Sequence, residues 1–231
     1  MSNVCIIPAR GGSKRIPRKN IRDFCGKPII AYSIEAAIQS NLFEEVMVST
    51  DDAEIEKIAL KFGAKVPFLR SLKNADDFAT TVDVLTEVIG QYKSAGKEYN
   101  TLCCCYPTAA FVTSQKLREG YELLNIQNAD AVFPVVEYSY PIQRSVMMDN
   151  DHRVSMKWPE FIHARSQDLE KSYHDAGQWY WVKIDSLLQN KSLFTKNTFG
   201  VSLSHLEVQD IDNESDWRIA EIKYEFLQSL T

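Results

Sequence analysis

A mostly parallel α/β sheet flanked by helices is the architecture this sequence predicts, and three observations lead to it. Short apolar runs at 4–8, 45–49, 101–106 and 131–136 have the length and composition of buried strands. Between them, stretches at 29–38, 81–92 and 114–124 repeat apolar residues at helical spacing, and such alternation builds βαβ units. The residues best suited to chemistry follow directly after the strand runs, and open sheets of this kind bind ligands beyond the carboxyl ends of their strands.

In chain order, Val4-Cys5-Ile6-Ile7-Pro8 opens as a buried strand and feeds the loop Ala9-Arg10-Gly11-Gly12-Ser13-Lys14-Arg15. After Pro28, residues Ile29, Ile30, Ile34, Ala37 and Ile38 mark one face of a helix. The second strand, 45–49, ends in Thr50-Asp51-Asp52, which suits the cap of a helix over 53–62. A short strand is expected over 65–69, then a loop with Asp76 and Asp77. Val82, Leu85, Val88 and Ile89 give the next helix its apolar face, and Pro107 stops the strand that begins at Thr101. A helix over 114–124 leads to the strand 131–136. From about 138 to 185 the pattern changes: Trp158, Trp179, Trp181, several tyrosines and three of the four histidines lie there without clean helical periodicity. That stretch predicts an inserted β-rich lobe covering the site and pairing subunits, within a single domain over 1–231. A strand near 199–203, the segment 208–212 and a helix over 214–227 close the chain.

Composition narrows the function. The 231 residues are 45% apolar and 25% charged, values of an ordinary soluble globular protein. No run of eighteen apolar residues exists to span a membrane, and the apolar start is too short for a signal peptide. The chain reads as cytoplasmic, with no membrane partner. Its five cysteines lack Cys-x-x-Cys spacing, and the consecutive Cys103, Cys104 and Cys105 would point to alternate faces of a strand, so they read as apolar filling. A net charge of −5 argues against general nucleic-acid binding. Within this acidic chain, Arg10, Lys14, Arg15, Arg18, Lys19 and Arg22 cluster with no acid among them.

That basic loop is not a P-loop, because Gly26-Lys27 is followed by Pro28 and Ile21 stands where a glycine is required. It also lacks the G-x-G-x-x-G spacing of dinucleotide sites. What it offers is close backbone approach at Gly11 and Gly12 together with cations. A triphosphate carries about four negative charges, and phosphoryl transfer depends mainly on positioning and charge neutralisation. A solvated surface loop would have the same composition. Asp210 and Asp212, at i and i+2 of an extended segment, share a face with Cα atoms about 7 Å apart. They suit two ligands of one Mg2+, or two solvated acids entering a helix capped by Asn213 or Ser215. Arg165-Ser166-Gln167 and Tyr173-His174-Asp175 include a cation and donors of the types an acidic sugar would need, although a histidine beside an aspartate is more often structural.

Taken as a set, these residues resemble a known family. Arg10-x-x-Ser13-Lys14-x-x-Pro17-x-Lys19-Asn20 after the first strand looks like the nucleotide signature of the CMP-sialic acid synthetase family. Ser49-Thr50-Asp51, Ala79-Thr80-Thr81, Pro107-Thr108 and Asp210-Ile211-Asp212 stand in the family's order and spacing, so the likeness spans nearly the whole chain. Tyr106-Pro107-Thr108, Arg165-Ser166-Gln167-Asp168 and Tyr173-His174-Asp175-Ala176-Gly177-Gln178 look most like its pseudaminic acid cytidylyltransferase branch. The sialic acid enzymes carry glutamine at the place of Tyr106 and an arginine near that of His174. Ala110 stands where the family has proline.

The resemblance implies a Rossmann-like nucleotidyltransferase sheet, a homodimer and Mg2+ as cofactor. It implies that Arg10, Gly11, Gly12, Ser13, Lys14, Lys19, Asn20, Thr80, Thr81 and Pro107 surround CTP, and that Asp210 and Asp212 are metal ligands. Arg10, Lys19 and Asp212 would carry catalysis, and Tyr106, Arg165, Gln167, Tyr173 and His174 would meet the sugar. The expected reaction transfers CMP from CTP to the anomeric hydroxyl of a nine-carbon acidic sugar, pseudaminic acid. The alternatives are the same transfer to sialic acid, legionaminic acid or 3-deoxy-manno-octulosonate, a nucleotide-sugar-dependent glycosyltransferase, and a non-catalytic CTP-binding module.

Overall fold

The computed structural model describes residues 2–76 and 78–230; Asp77, expected in the loop before the third helix, lies outside the described residues. The first half runs β1 (Asn3–Pro8), β2 (Asp23–Phe24), β3 (Lys27–Pro28), α1 (Ile30–Ser40), β4 (Glu45–Ser49), α2 (Ala53–Lys61), α3 (Thr81–Ser94) and β5 (Thr101–Cys105). The second half runs α4 (Ser114–Ile126), β6 (Ala131–Glu137), β7 (Val146–Met148), β8 (Val154–Met156), β9 (Tyr173–Asp175), β10 (Trp179–Lys183), α5 (Ile184–Asn190), β11 (Thr198–Leu203) and α6 (Glu214–Gln228).

The main sheet has seven strands in the order β11-β6-β10-β5-β1-β4, with β9 also on β6. β1 pairs in parallel with β4 and β5, and β11 with β6, while β10 is antiparallel to both its neighbours. The predicted mostly parallel α/β sheet is therefore the observed one. Its two faces are filled by alternate residues of each strand. Cys5, Ile7, Val46, Val48, Cys103 and Cys105 pack with Ile34 of α1, Ile55 of α2 and Leu117 of α4. Val4, Ile6, Met47, Leu102 and Cys104 pack with Leu85 and Val88 of α3 and Leu187 of α5. Cys103, Cys104 and Cys105 are wholly buried and split between the two faces, and burial pushes the Cys105 thiol up to about 12. They are filling, as their spacing predicts.

Two expectations change. The segment 65–69 makes isolated bridges, Met47 with Lys65 and Thr50 with Leu69, rather than a strand. Pro67 in its middle has no N–H to donate, so a continuous ladder cannot form. The stretch 138–185 is not one inserted lobe either. Trp179 and Trp181 belong to β10 and are fully buried in the centre of the main sheet. Only the part before β9 stands apart, as the β7–β8 hairpin and short 3-10 turns.

A smaller cluster matters most for the site. Ile16 from the basic loop and Ile211 from the acidic segment are buried together with Phe24, Ile29, Tyr32, Trp217 and Ala220. Segments almost two hundred residues apart are thus fixed to each other by one apolar contact set.

At the opposite end of the sheet, Glu45 is a buried carboxylate whose side chain is 3% exposed. It accepts hydrogen bonds from Tyr92 Oη at 2.5 Å, Lys97 Nζ at 3.0 Å and Lys65 Nζ at 3.2 Å. Burial alone would raise its pKa, but these three donors together hold it below the ordinary glutamate value. A carboxyl depressed on folding stabilises the native state above its unfolded pKa, and that contribution is lost as pH falls through the folded value. Glu45→Gln should therefore cost about 1–3 kcal/mol at pH 7. The difference from the parent should shrink in urea melts taken at progressively lower pH, below the ordinary glutamate range.

Candidate active site

The parallel strands β1, β4 and β5 end at Pro8, Ser49 and Cys105 on the same edge of the sheet, and the loops that follow them meet there. The basic loop leaves β1 and is pinned at several points. Ala9 N–H donates to Ser49 O at 2.9 Å, Gly11 N–H to Asp51 Oδ1 at 3.0 Å, and Asn20 Nδ2 to Arg10 O at 3.0 Å. Arg18 adopts a left-handed backbone, with φ 56°, that turns the loop back on itself. Its guanidinium grips Asp52 at 2.6 and 2.8 Å and Glu54 at 2.6 Å. Those hydrogen bonds hold the Asp52 carboxyl well below the usual range while it caps α2 through Glu54 N–H and Ile55 N–H.

Gly11 is needed where it stands. A Cβ there would lie 2.7 Å from Asp52 Oδ2, an atom that cannot retreat without releasing Arg18 and the cap. A Cβ at Gly12 would meet nothing within 4 Å. Gly11→Ala should thus destabilise the protein by about 1–3 kcal/mol, whereas Gly12→Ala should leave thermal stability nearly unchanged. Thermal unfolding of both variants checks this.

The loop forms one wall of a cleft of about 510 Å³. Nine of the expected residues line it: Arg10, Ser13, Lys14, Lys19, Asn20, Thr80, Thr81, Tyr106 and Pro107. Gly11 and Gly12 lie in the same loop but outside the lining. Lys19 is half-buried, and burial pulls its ammonium below the ordinary lysine value, with Asp212 and Asp210 opposing that shift. Arg10 Nη1 donates to Asp76 O at 2.8 Å. Thr80 spends its hydroxyl on a capping box with Asp83, which fixes the start of α3 against the cleft. Thr81 Oγ1 meets Tyr106 Oη at 3.2 Å. Tyr106 is further held by its N–H on Gln178 O at 2.8 Å and by Ser33 Oγ donating to its carbonyl at 2.8 Å.

Asp210 and Asp212 flank buried Ile211 and so share an outward face, as the extended spacing requires. Lys19 Nζ donates to Ile211 O at 2.7 Å, and Arg15 Nη2 lies 2.7 Å from Asp212 Oδ1. The acid pair therefore sits at the rim of the cationic cleft. Two hard oxygen ligands beside a basic cleft fit Mg2+, which takes one or two carboxylates and completes its shell with substrate phosphates and water. Arg15 already places a positive group on one of them. Among the described residues no group of three or more His, Cys, Asp or Glu side chains could hold a metal ion, so a cation on the acid pair would draw its remaining ligands from outside the protein.

The four remaining sugar-site candidates are not in the cleft lining. Arg165 Nε pairs with Asp168 Oδ2 at 2.7 Å on the surface. Gln167 lines a separate cavity of about 300 Å³ with Tyr138 and Pro141. Tyr173 is exposed, and the His174 ring packs edge-on against Tyr138, its Nδ1 donating to Asp175 O at 2.9 Å. Two arginines of the cleft lining have no role assigned from the sequence. Arg70 is buried, donating through Nη2 to Ser49 O at 2.6 Å and through Nε to Ser49 Oγ at 3.2 Å. Its place just after the segment that bridges β4 is the signal that could have found it. Arg15, the other, is visible in the basic run, but its residue type alone gives it no role there.

A sheet of this topology whose strand ends carry a basic loop, with an acid pair docked on it, defines a nucleotidyltransferase architecture. The sequence matches the cytidylyltransferase family model over residues 4–221, and the chain belongs to that family. It is 42% identical over 224 residues to the pseudaminic acid cytidylyltransferase of Campylobacter jejuni subsp. jejuni serotype O:2, with 97% of each chain covered. It is 30% identical over 230 residues to the CMP-N,N'-diacetyllegionaminic acid synthase of Legionella pneumophila subsp. pneumophila, covering 96% of this chain and 95% of that one. Among solved structures, CMP:2-keto-3-deoxy-manno-octonic acid synthetase complexed with CTP superposes with a TM-score of 0.71, over 99% of this chain and 100% of the other. At 18% identity that likeness speaks to the fold alone.

Proposed function

We propose that this protein transfers CMP from CTP to the anomeric hydroxyl of pseudaminic acid, releasing pyrophosphate. The observation that carries the reaction class is the meeting of the basic loop and the acid pair, joined by Lys19 Nζ on Ile211 O at 2.7 Å. The sugar rests on the 42% identity to the Campylobacter enzyme along the whole chain.

In this reading the anomeric oxygen attacks the α-phosphorus in line, the bond from that phosphorus to the bridging oxygen of the β-phosphate breaks, and the hydroxyl proton passes to solvent. Arg10 and Lys19 hold the β- and γ-phosphates and stabilise the charge that builds on pyrophosphate, with Lys14 assisting. Asn20 braces the loop through Arg10 O, while Ser13, Thr80, Thr81 and Pro107 border the nucleoside. Asp210 and Asp212 would hold Mg2+, which when bound neutralises phosphate charge and favours ionisation of the attacking hydroxyl. Tyr106 faces the sugar from the cleft, whereas Arg165, Gln167, Tyr173 and His174 lie outside its lining and stay sugar-site candidates by resemblance alone.

That segment also supports a homodimer, since Tyr140, Val146, Met147, Met148, Val154 and Ile162 are exposed apolar side chains close together in sequence. A cytoplasmic location is part of this proposal; no helix among the described residues is long and apolar enough to cross a membrane. The test of the sugar is a panel: pseudaminic, sialic and legionaminic acids and 3-deoxy-manno-octulosonate, each with CTP and Mg2+, read as pyrophosphate. The highest kcat/KM should fall on pseudaminic acid. A preference for another member would move the assignment to that sugar.

A further inference from the structure

Arg15 stands between two anion sites. Its Nη2 is 2.7 Å from Asp212 Oδ1, yet the same side chain lines the nucleotide cleft. The backbone on both sides of this contact is fixed. Ile16, the next residue, and Ile211 are buried in one apolar cluster, and Asp212 N–H donates to Asp216 Oδ2 at 2.9 Å. Lys19 adds its hydrogen bond to Ile211 O. The Arg15 side chain, by contrast, is 68% exposed, so the guanidinium has room to turn while everything around it stays in place.

We propose that Arg15 is a latch shared between Asp212 and the cleft. In the empty protein it neutralises the carboxylate; when a divalent cation takes that carboxylate, the guanidinium turns to the nucleotide phosphates. This rests on the reading of Asp210 and Asp212 as metal ligands. Asp212 Oδ1 cannot hold the guanidinium and a divalent cation together, because the two like charges would lie within contact distance of each other. The released guanidinium is already at the cleft wall, where a triphosphate offers the next anion and a planar donor group suits phosphate oxygens. The exchange makes metal and nucleotide each favour the other's binding, and linkage requires the two effects to be equal. The latch is weak because of its surroundings: an exposed ion pair is easily displaced.

The test uses Mn2+ alone as probe, with free ion measured by electron paramagnetic resonance on the full chain. Without CTP, Arg15→Ala should bind Mn2+ about two- to fivefold more tightly than the parent, the range of an exposed ion pair removed. The enhancement of Mn2+ binding by CTP should shrink in the same variant, and Arg15→Lys should fall between the two. Asp212→Ala should weaken Mn2+ binding in either background. Unchanged or weaker Mn2+ affinity in Arg15→Ala, with Asp212→Ala still weakening it, would overturn the latch and leave the metal ligands standing. Mn2+ binding indifferent to Asp212→Ala would overturn both.

Discussion

Replacing Asp212 by alanine should lower turnover by about a thousandfold or more while leaving the protein folded, since metal-linked charge stabilisation amounts to several kcal/mol of barrier. The structure separates the two effects. Ile211 holds this segment in its apolar cluster, the Asp212 backbone N–H is satisfied by Asp216, and Asn213 caps α6 through Ser215 N–H and Asp216 N–H. None of these contacts uses the Asp212 carboxylate. That carboxylate pairs with Arg15 at the surface, and exposed pairs contribute little to stability. Steady-state rates with CTP and pseudaminic acid, together with thermal unfolding, decide the matter. Parent-like turnover would remove the acid pair from the mechanism.

Lys19→Ala should reduce kcat by about a hundred- to a thousandfold, the scale on which a preorganised group facing developing charge acts. Two functions are lost at once. The half-buried ammonium faces the cleft, and the same Nζ ties the basic loop to Ile211 O. Arg22 supplies the comparison: it belongs to the same basic run but pairs with Glu214 and lies 4.5 Å over the Trp217 ring, outside the cleft lining. Arg22→Ala should therefore affect stability more than rate, with a kcat loss under about tenfold. Equal rate losses in the two variants would mean that the run acts through overall charge rather than through a built site.

The strands β1, β4, β5 and β6 and the helices between them are legible in the sequence because buried strands and amphipathic helices impose different periods. The nucleotide side of the site follows, since parallel strands deliver their loops to one edge. Pro67 limits the segment beside β4 to isolated bridges where the apolar run predicts a strand, and nothing in the apolar pattern marks Arg70, just beyond it, as a cleft residue. Trp179–Lys183 is hard to place for a different reason. A central strand is buried on both faces and has no polar alternation to mark it, so its aromatics resemble an irregular lobe. The sugar-site candidates are recognisable by residue type alone, which says nothing of distance. Arg165 and Gln167 consequently stand apart from the cleft that Tyr106 lines.

Transfer of CMP to the sugar is tested most directly by phosphorus-31 NMR on the purified protein with CTP, Mg2+ and pseudaminic acid. CTP should disappear while a sugar phosphodiester and pyrophosphate grow in equal amounts. Persistence of CTP, or its conversion without a phosphodiester, would contradict the proposed reaction.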